Sequence, residues 1–435
     1  MTTELSVREA PASYVVDAQP AIRKGYKQTE VGVIPEDWQV LNLESITDPK
    51  RTISYGIVQT GPSILNGVSC LRVVDIADGK INTGDLITTS KVISDSYKRT
   101  ILKADDLVMP LRGKVGDIAI IGEDLAGSNL TRGVALIAVR ADWSARYCRQ
   151  YVLSSSTRNR LEQSMNGSAL QEIPIATLRS FKVALPPTKA EQEAIAEALS
   201  DADALIDALE KLIAKKRHLK QGAMQELLTG KKRLPGFGGE WVAKTIKSIV
   251  QTPVTDGPHL TPKFIEDGIP FLSVNNLVDN KINFSELRYI SRQDDIEFSK
   301  KCKPRKGDVL LGKAASVGKV AIVDNDYEFN IWSPIALIRV GYGHNSLFVF
   351  YQLLGADLAK QIALLTNSSS QGNIGMGDIE KLTVLLPPPD EQTAIATTLS
   401  DMDTELAALE SQLAKARGIK QGMMQELLTG RIRLV

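Results

Sequence analysis

Cysteine is nearly missing from this 435-residue chain: Cys70, Cys148 and Cys302 are its three, far apart and with no CxxC. An odd, dispersed set argues against a disulfide framework and suits a reducing cytoplasm. Histidine is equally scarce. His218, His259 and His344 form no HExxH and have no cysteine partners, so their spacing offers no zinc site. Long apolar runs are lacking too, none approaching the roughly 18 residues a membrane span needs. The opening MTTELSVREAPASYVVDAQP lacks the basic-then-apolar order of a secretion signal, and residues 1–25 read as a partly disordered N-terminal arm. A surplus of one charge is absent as well, with 52 Lys plus Arg against 51 Asp plus Glu and a net charge of +1. Nucleic-acid binding would then need basic residues gathered locally or supplied by partners. The expected location is the cytoplasm, with no membrane partner.

Catalytic signatures are missing in the same way. GKAASVGKV, from Gly312, has five residues between its glycines where a phosphate loop has four, and Val320 stands where Ser or Thr is required. Its counterpart LRGKVGDIA has drifted further, and both read as strand-turn-strand with glycine at the turn. No GxSxG supplies a nucleophile elbow and no GxGxxG a nucleotide cofactor site. LPPPDE lacks the Asn/Asp-Pro-Pro-aromatic order of amino-methyltransferases. Carboxylates such as Glu210, beside Lys211 and Lys215, read as a solvated helix face. No catalytic residue, metal ligand or cofactor site is expected in this chain.

What the chain does contain is itself, twice. Its length suggests two or three domains, and 43% hydrophobic with 24% charged residues is a globular composition. Glu191–Leu234 aligns without gaps on Glu391–Leu434, with about 27 of 44 positions identical. KQGAMQELLTG ends the first copy and KQGMMQELLTG the second. Each copy follows prolines, in LPPTKAEQEAIAEALSD and LLPPPDEQTAIATTLSD, and the order PP then EQ marks a helix start. Ile195, Leu199, Ala202, Ile206, Leu209 and Ile213 step by four and three. Ile395, Leu399, Met402, Leu406, Leu409 and Leu413 do the same, which is the seam of a helix lying along another helix. A span from Ala190 to about Leu228 predicts a rod of about 58 Å, with Gly230 and Gly430 as stops. Because the copies are alike, they are expected to pair as an antiparallel intramolecular coiled coil, the alternative being that each packs on its own domain.

The preceding segments correspond more loosely. GVSCLRVVDIADGKINTGDL matches GIPFLSVNNLVDNKINFSEL, and LKADDLVMPLRGKVGDIAII matches PRKGDVLLGKAASVGKVAIV. NLTRGVALIAV matches NIWSPIALIRV, and Trp38 is equivalent to Trp241. Short β-branched runs between Gly and Asp turns read as strands. The framework repeats while positions around it differ: Arg72 against Ser273, Val74 against Asn275, Asp75 against Asn276, Arg112 against Ala314, Arg132 against Ser333. Such a chain is built to hold two different things in one geometry.

YKQTEVGVIPEDW, DGPHLTPKF with GIPFLSVNNL, GDVLL with SVGKVAIV, and above all LPPPDEQTAIA with KQGMMQELLTG resemble the specificity subunit of type I restriction–modification systems. The resemblance covers nearly all of the chain after about residue 25, in the family's order. It implies an α+β fold: two strand-rich α/β target-recognition domains separated by two long helices in an antiparallel coiled coil, with internal pseudo-twofold symmetry. The domains would be residues 26–187 and 235–388, and the helical spacers residues 188–234 and 389–435. Each domain would read half of a bipartite, asymmetric double-stranded DNA target. The helices would set the unread gap and dock two modification subunits, adenine-N6 methyltransferases using S-adenosylmethionine. Restriction subunits, with ATP- and Mg-dependent translocase and nuclease activity, would join through them in this phage-defence assembly. The chain itself would be a non-catalytic adaptor.

Reading base edges requires donors and acceptors on loops of a rigid scaffold. The first unit offers Arg72, Asp75, Arg112, Lys114, Asn129, Arg132 and Gln171. The second offers His259, Asn275, Asn276, Lys313, Ser316, Asn330, Gln371 and Asn373. For each of these, a solvated loop residue or turn former stands as the alternative. Basic clusters at Lys211–Lys220 and Lys231–Leu234 fit phosphate contact, solvation of a long helix, or an acidic partner surface. A scaffold whose globular units bind proteins, with no DNA reading, is the rival class, and an enzyme with an unrecognised site a third.

Overall fold

The computed structural model describes residues 22–165, 171–366 and 372–434. Gln371 and most of the proposed N-terminal arm, residues 1–21, lie outside them. The chain divides into two units, residues 1–208 with 414–435, and residues 209–413. The division falls inside the two long helices, Lys189–Leu227 and Pro389–Leu427, each 39 residues. The first of these links the two globular regions.

In the first unit a four-stranded antiparallel sheet runs in the order Ala119–Ile120, Leu107–Pro110, Val134–Ile137, Ser54–Tyr55. The inner strands VALI and LVMP are buried throughout. Alternate side chains point to opposite faces of a strand, and here each face has its own core. Leu107, Met109, Ala135 and Ile137 join a cluster with Tyr147, Tyr151 and Leu161 of the helices Ala145–Leu153 and Ser155–Gln163. Val108, Val134 and Leu136 join a second cluster with Leu71, Ile76 and Leu130. A sheet covered on both sides explains why these strands read as continuous apolar runs. Beside it, Val68–Leu71 pairs parallel with Asn129–Leu130 and antiparallel with Ile87–Thr89.

The second unit repeats the plan. Its four-stranded sheet is Thr255–Asp256, Ile335–Ile338, Val309–Gly312, Val320–Ile322. Ile269–Leu272 pairs parallel with Asn330–Ile331 and antiparallel with Arg288–Ile290. Val309, Leu311, Ala336 and Ile338 face one core, and Leu310, Ile335 and Leu337 the other. The cysteines serve as buried apolar residues: burial pushes the Cys70 thiol up to about 11 and those of Cys148 and Cys302 to about 12.

Each unit also holds two antiparallel helix segments. In the first, Lys420 Nζ is 2.5 Å from Asp203. In the second, Lys220 pairs with Asp403, Lys216 with Glu405 at 2.6 Å and Arg217 with Glu410 at 2.7 Å. The seam expected from the sequence has two tasks. Ile195 and Leu199, fully buried, belong to the first unit's globular core, as Ile395 and Leu399 do in the second. The apolar steps beyond them, Ala202, Ile206, Met402 and Leu409, are half-buried. Among the described residues no single helix is long and apolar enough to cross a membrane. The apolar pair Ser346–Leu354 and Ala356–Leu365 is bent by 70° and buries Phe348, Val349 and Leu358 in the second core.

Candidate nucleic-acid interface

The ends of the central strands gather four loops in each unit. In the first, Leu111 N donates to Gly133 O at 2.8 Å, Arg132 N to Ile57 O at 2.8 Å and Ile173 N to Leu111 O at 2.9 Å. In the second, Lys313 N donates to Pro334 O at 2.8 Å, Ser333 N to Pro258 O at 3.3 Å and Ile374 N to Lys313 O at 2.9 Å. Arg112 bridges Glu172 as Ala314 bridges Asn373. Glycine permits the closest approach: a Cβ on Gly56 would lie 2.0 Å from Leu130 O, and one on Gly257 1.8 Å from Ile331 O. The framework is main-chain, so side chains at the rim are free to differ.

Of the residues picked from the first unit, Arg112, Lys114, Arg132 and Gln171 are exposed, and the structure gives the first three no side-chain partner among the described residues. In the second unit His259, Asn275 and Asn373 are exposed and Ser316 is half-buried. All but Asn275, which stands on the adjoining turn Val274–Asn276, lie on the gathered loops. Six of the expected residues are instead held within the fold. Asn129 is fully buried, donating to Ser94 Oγ at 3.1 Å while its oxygen accepts from Thr100 Oγ1 at 2.7 Å and Leu130 N at 2.9 Å. Asn330, also fully buried, donates to Asp295 at 3.2 Å and accepts from Ile331 N at 2.8 Å. Their amides tie a strand to the helix beside it and are buried away from DNA.

Asp75, 5% exposed, accepts from Arg72 N at 2.7 Å and from the Arg72 guanidinium at 2.8 and 3.1 Å, capping the 3-10 turn Val73–Asp75. Asn276 caps the matching turn Val274–Asn276, accepting from Ser273 N at 2.9 Å and donating to Glu286 O at 3.0 Å. Arg72 is therefore held inward, and its bond to Asp75 raises it further above the usual guanidinium range.

Lys313 is the sixth. It is 8% exposed, with Nζ 3.0 Å from the Asp256 carboxylate, which is fully buried and also meets Lys301 Nζ at 2.5 Å and His259 Nε2 at 3.4 Å. Burial alone would raise the Asp256 carboxyl, but the two ammonium groups outweigh it and hold the group below the ordinary aspartate range. Tyr55 and Leu111 occupy the matching places in the first unit, so this ion cluster belongs to the second alone.

The repeated helix phrases resolve into a joint that the sequence reading missed. Glu191, 2% exposed, receives a bidentate contact from Arg433, whose Nη2 is 2.8 Å away, and Arg433 also meets Asp37 at 3.0 Å. Glu391, fully buried, receives Arg233 at 2.6 and 2.5 Å. Gln192 and Gln392 each accept from a loop N–H, of Ser144 or Asn345, at 2.9 Å and donate to the carbonyl of Pro186 or Pro387. Arg433 lies over Trp38 and Arg233 over Trp241. The EQ of one helix start thus receives the arginine three residues beyond the LLTG of the other helix. That arginine is the third residue after the glycine in both copies, a spacing visible in the sequence. For the basic cluster at Lys231–Leu234, Arg233 is committed to this pair. In Lys211–Lys220, Lys216, Arg217 and Lys220 face carboxylates of the opposed helix. The second unit also has a groove of about 660 Å³ lined by Lys220, Gln221, Met224, Gln225, Leu228 and Thr229 of this phrase, against the bend at Gly355.

The chain matches the model of the type I restriction modification DNA specificity domain twice, at residues 35–218 and 239–416. It is similar to the putative type I restriction enzyme MjaX specificity subunit of Methanocaldococcus jannaschii, 25% identical over 94% of this chain and 97% of that protein. It is also similar to the EcoBI specificity subunit of Escherichia coli, 32% identical over 42% of this chain, an alignment spanning 38% of that relative's length. Among solved structures, the S subunit of a type I restriction–modification system from M. genitalium superposes with a TM-score of 0.60 at 15% identity, covering 90% of this chain and 96% of that one. A chain from a study of complex assembly and conformational transition in the type I system gives 0.54 at 18% identity, covering 92% and 99%. These likenesses show the fold, and the two family matches, one in each half of the repeat, show that this chain belongs to the DNA specificity subunits of type I restriction–modification systems.

Proposed function

We propose that each unit reads one half of a bipartite, asymmetric duplex DNA target through its gathered loops. The observation that carries this reading is the internal comparison. Backbone contacts around the loops repeat, whereas the side chains on them and on the adjoining turns do not: Val74 faces solvent in one unit where Asn275 does in the other, and Arg132 stands where Ser333 does. The first rim, with Arg112, Lys114, Arg132 and Gln171, suits guanine and phosphate. The second, with His259, Asn275, Ser316 and Asn373, suits adenine. The two half-sites therefore differ in sequence.

The long helices set the unread gap and carry two modification subunits, one on each copy of the repeated phrase. The groove along Gln221–Thr229 supports this reading, since Gln221 and Gln225, which the repeat keeps as Gln421 and Gln425, are exposed there beside the core residues Met224 and Leu228. Restriction subunits join through the modification subunits. Methyl transfer from S-adenosylmethionine and ATP- and Mg-dependent translocation belong to those partners in the cytoplasm, and this chain performs neither. Exchanging residues 26–187 with 235–388 tests the assignment of half-sites to units. The expected methylated motif is the original with its halves exchanged, whereas a motif unchanged by the exchange contradicts the proposal.

A further inference from the structure

The two capped turns, Val73–Asp75 and Val274–Asn276, are built on the same main-chain frame but enclose different things. Asn82 N donates to Asp75 O at 2.8 Å and Asn283 N to Asn276 O at 2.7 Å. Asn82 then caps Gly84 N at 3.0 Å, as Asn283 caps Ser285 N at 2.8 Å. In the first unit the space between turn and neighbouring hairpin is filled by the Arg72 guanidinium, which donates to Asp75 and, at 2.6 Å, to Asp85 O. In the second unit Ser273 replaces Arg72. Asn276 Nδ2 takes over the bond to the equivalent carbonyl, Glu286 O. The Ser273 side chain is too short to reach where the guanidinium reaches in the first unit. A recess of about 280 Å³ remains, walled by Phe271, Ser273, Asn275, Asn276, Glu286 and Arg288 among others.

The recess has unused bonding capacity at its mouth. Asn275 is exposed, with no side-chain partner among the described residues, and the Glu286 carboxylate is likewise unpaired. Arg288 lies over the Phe264 ring at 5.1 Å. The turn sits beside the loop rim, since a Cβ on Gly312 would come within 3.0 Å of Val274 and 2.4 Å of Ser316 O. An amide, a carboxylate and an aromatic floor are a set that recognises a base edge bearing an exocyclic amino group. The amide bonds adenine in a bidentate way, and the carboxylate accepts from an N4 or N6 amino hydrogen.

We infer that this recess in the second unit receives an amino-bearing base, adenine or cytosine, of the second half-site, and that Arg72 plugs the corresponding recess in the first. The inference rests on the proposed reading of DNA by both units. Two variants of the full chain, each assembled with its modification subunit, test it on a randomised duplex library read by methylation sequencing. Ser273→Arg with Asn276→Asp transplants the plug. Asn275→Val, an exposed change to the residue found at the first unit's turn, leaves the fold undisturbed should the plug not be accommodated. Either is expected to reduce discrimination at one position of the second half-site by about 10- to 100-fold, with the first half-site and the gap unchanged. Unaltered discrimination at every position overturns the inference while leaving the reading of DNA intact. Loss of assembly with the modification subunit, at intact fold, overturns it in favour of a protein side chain as the occupant. If the unsubstituted complex methylates no two-part motif, the underlying reading fails and takes the inference with it.

Discussion

Removing the Arg112 and Arg132 side chains is expected to change what the molecule reads and leave how it folds untouched. Both are exposed on the first rim, so Arg112→Ala and Arg132→Ala should each reduce discrimination in the first half-site by about 1–3 kcal/mol at unchanged melting temperature. Asn129→Ala should do the reverse. It strands Thr100 and Ser94 in a buried network, costs about 1–3 kcal/mol of stability and keeps the motif. Competition binding and thermal melts separate the two outcomes. The Asp256 cluster gives a pH signature. Its carboxyl is held below the ordinary value, so the unfolded chain binds the proton more readily, and the stabilisation is present above about pH 3.8 and lost as pH falls further. Lys313→Met, which leaves Lys301 paired with Asp256, should therefore destabilise the protein by about 1.5–3 kcal/mol at neutral pH. In urea unfolding the deficit should shrink below pH 4; a deficit constant with pH rules out the charge pairing as its source.

Elements explain what the sequence displayed and what it concealed. The long helices were legible because 3.5-residue steps, prolines before EQ and a glycine stop agree with one another. Their ends concealed more, because Arg233 and Arg433 look like solvated cations until the fold brings Glu391 and Glu191 beneath them. Asn129 and Asn330 misled for a related reason. A strand-end asparagine facing a helix has the same local sequence as one facing solvent, and only the parallel pairing with Val68–Leu71 or Ile269–Leu272 decides between them. The helices also carry a prediction about distance. Inserting one heptad into either long helix adds about 10 Å, or about three base pairs. The gap between half-sites should then change, or assembly fail, with both half-site sequences preserved. Methylation mapping of the insertion variant checks this, and a changed half-site at an unchanged gap would count against the helices as the ruler.

At the scale of the whole molecule, the chain is one architectural plan used twice with two sets of rim residues. The plan was visible in the repeat, since helix seams and buried strands are constraints of packing that leave a periodic trace. The identity of the readers was visible only in part, because whether a polar residue caps a turn or faces outward is settled by its three-dimensional neighbours. Asp75 and Asn275 stand at adjacent places of equivalent turns, yet one is locked inward and the other open. The central claim is that two unlike units read two unlike half-sites. It is tested most directly by methylome sequencing of cells expressing this chain with its modification subunit. The account predicts a single discontinuous motif with two different defined halves, an unread gap of fixed length and N6-methyladenine in the defined parts. A continuous motif, a palindromic one or no sequence preference at all would contradict it.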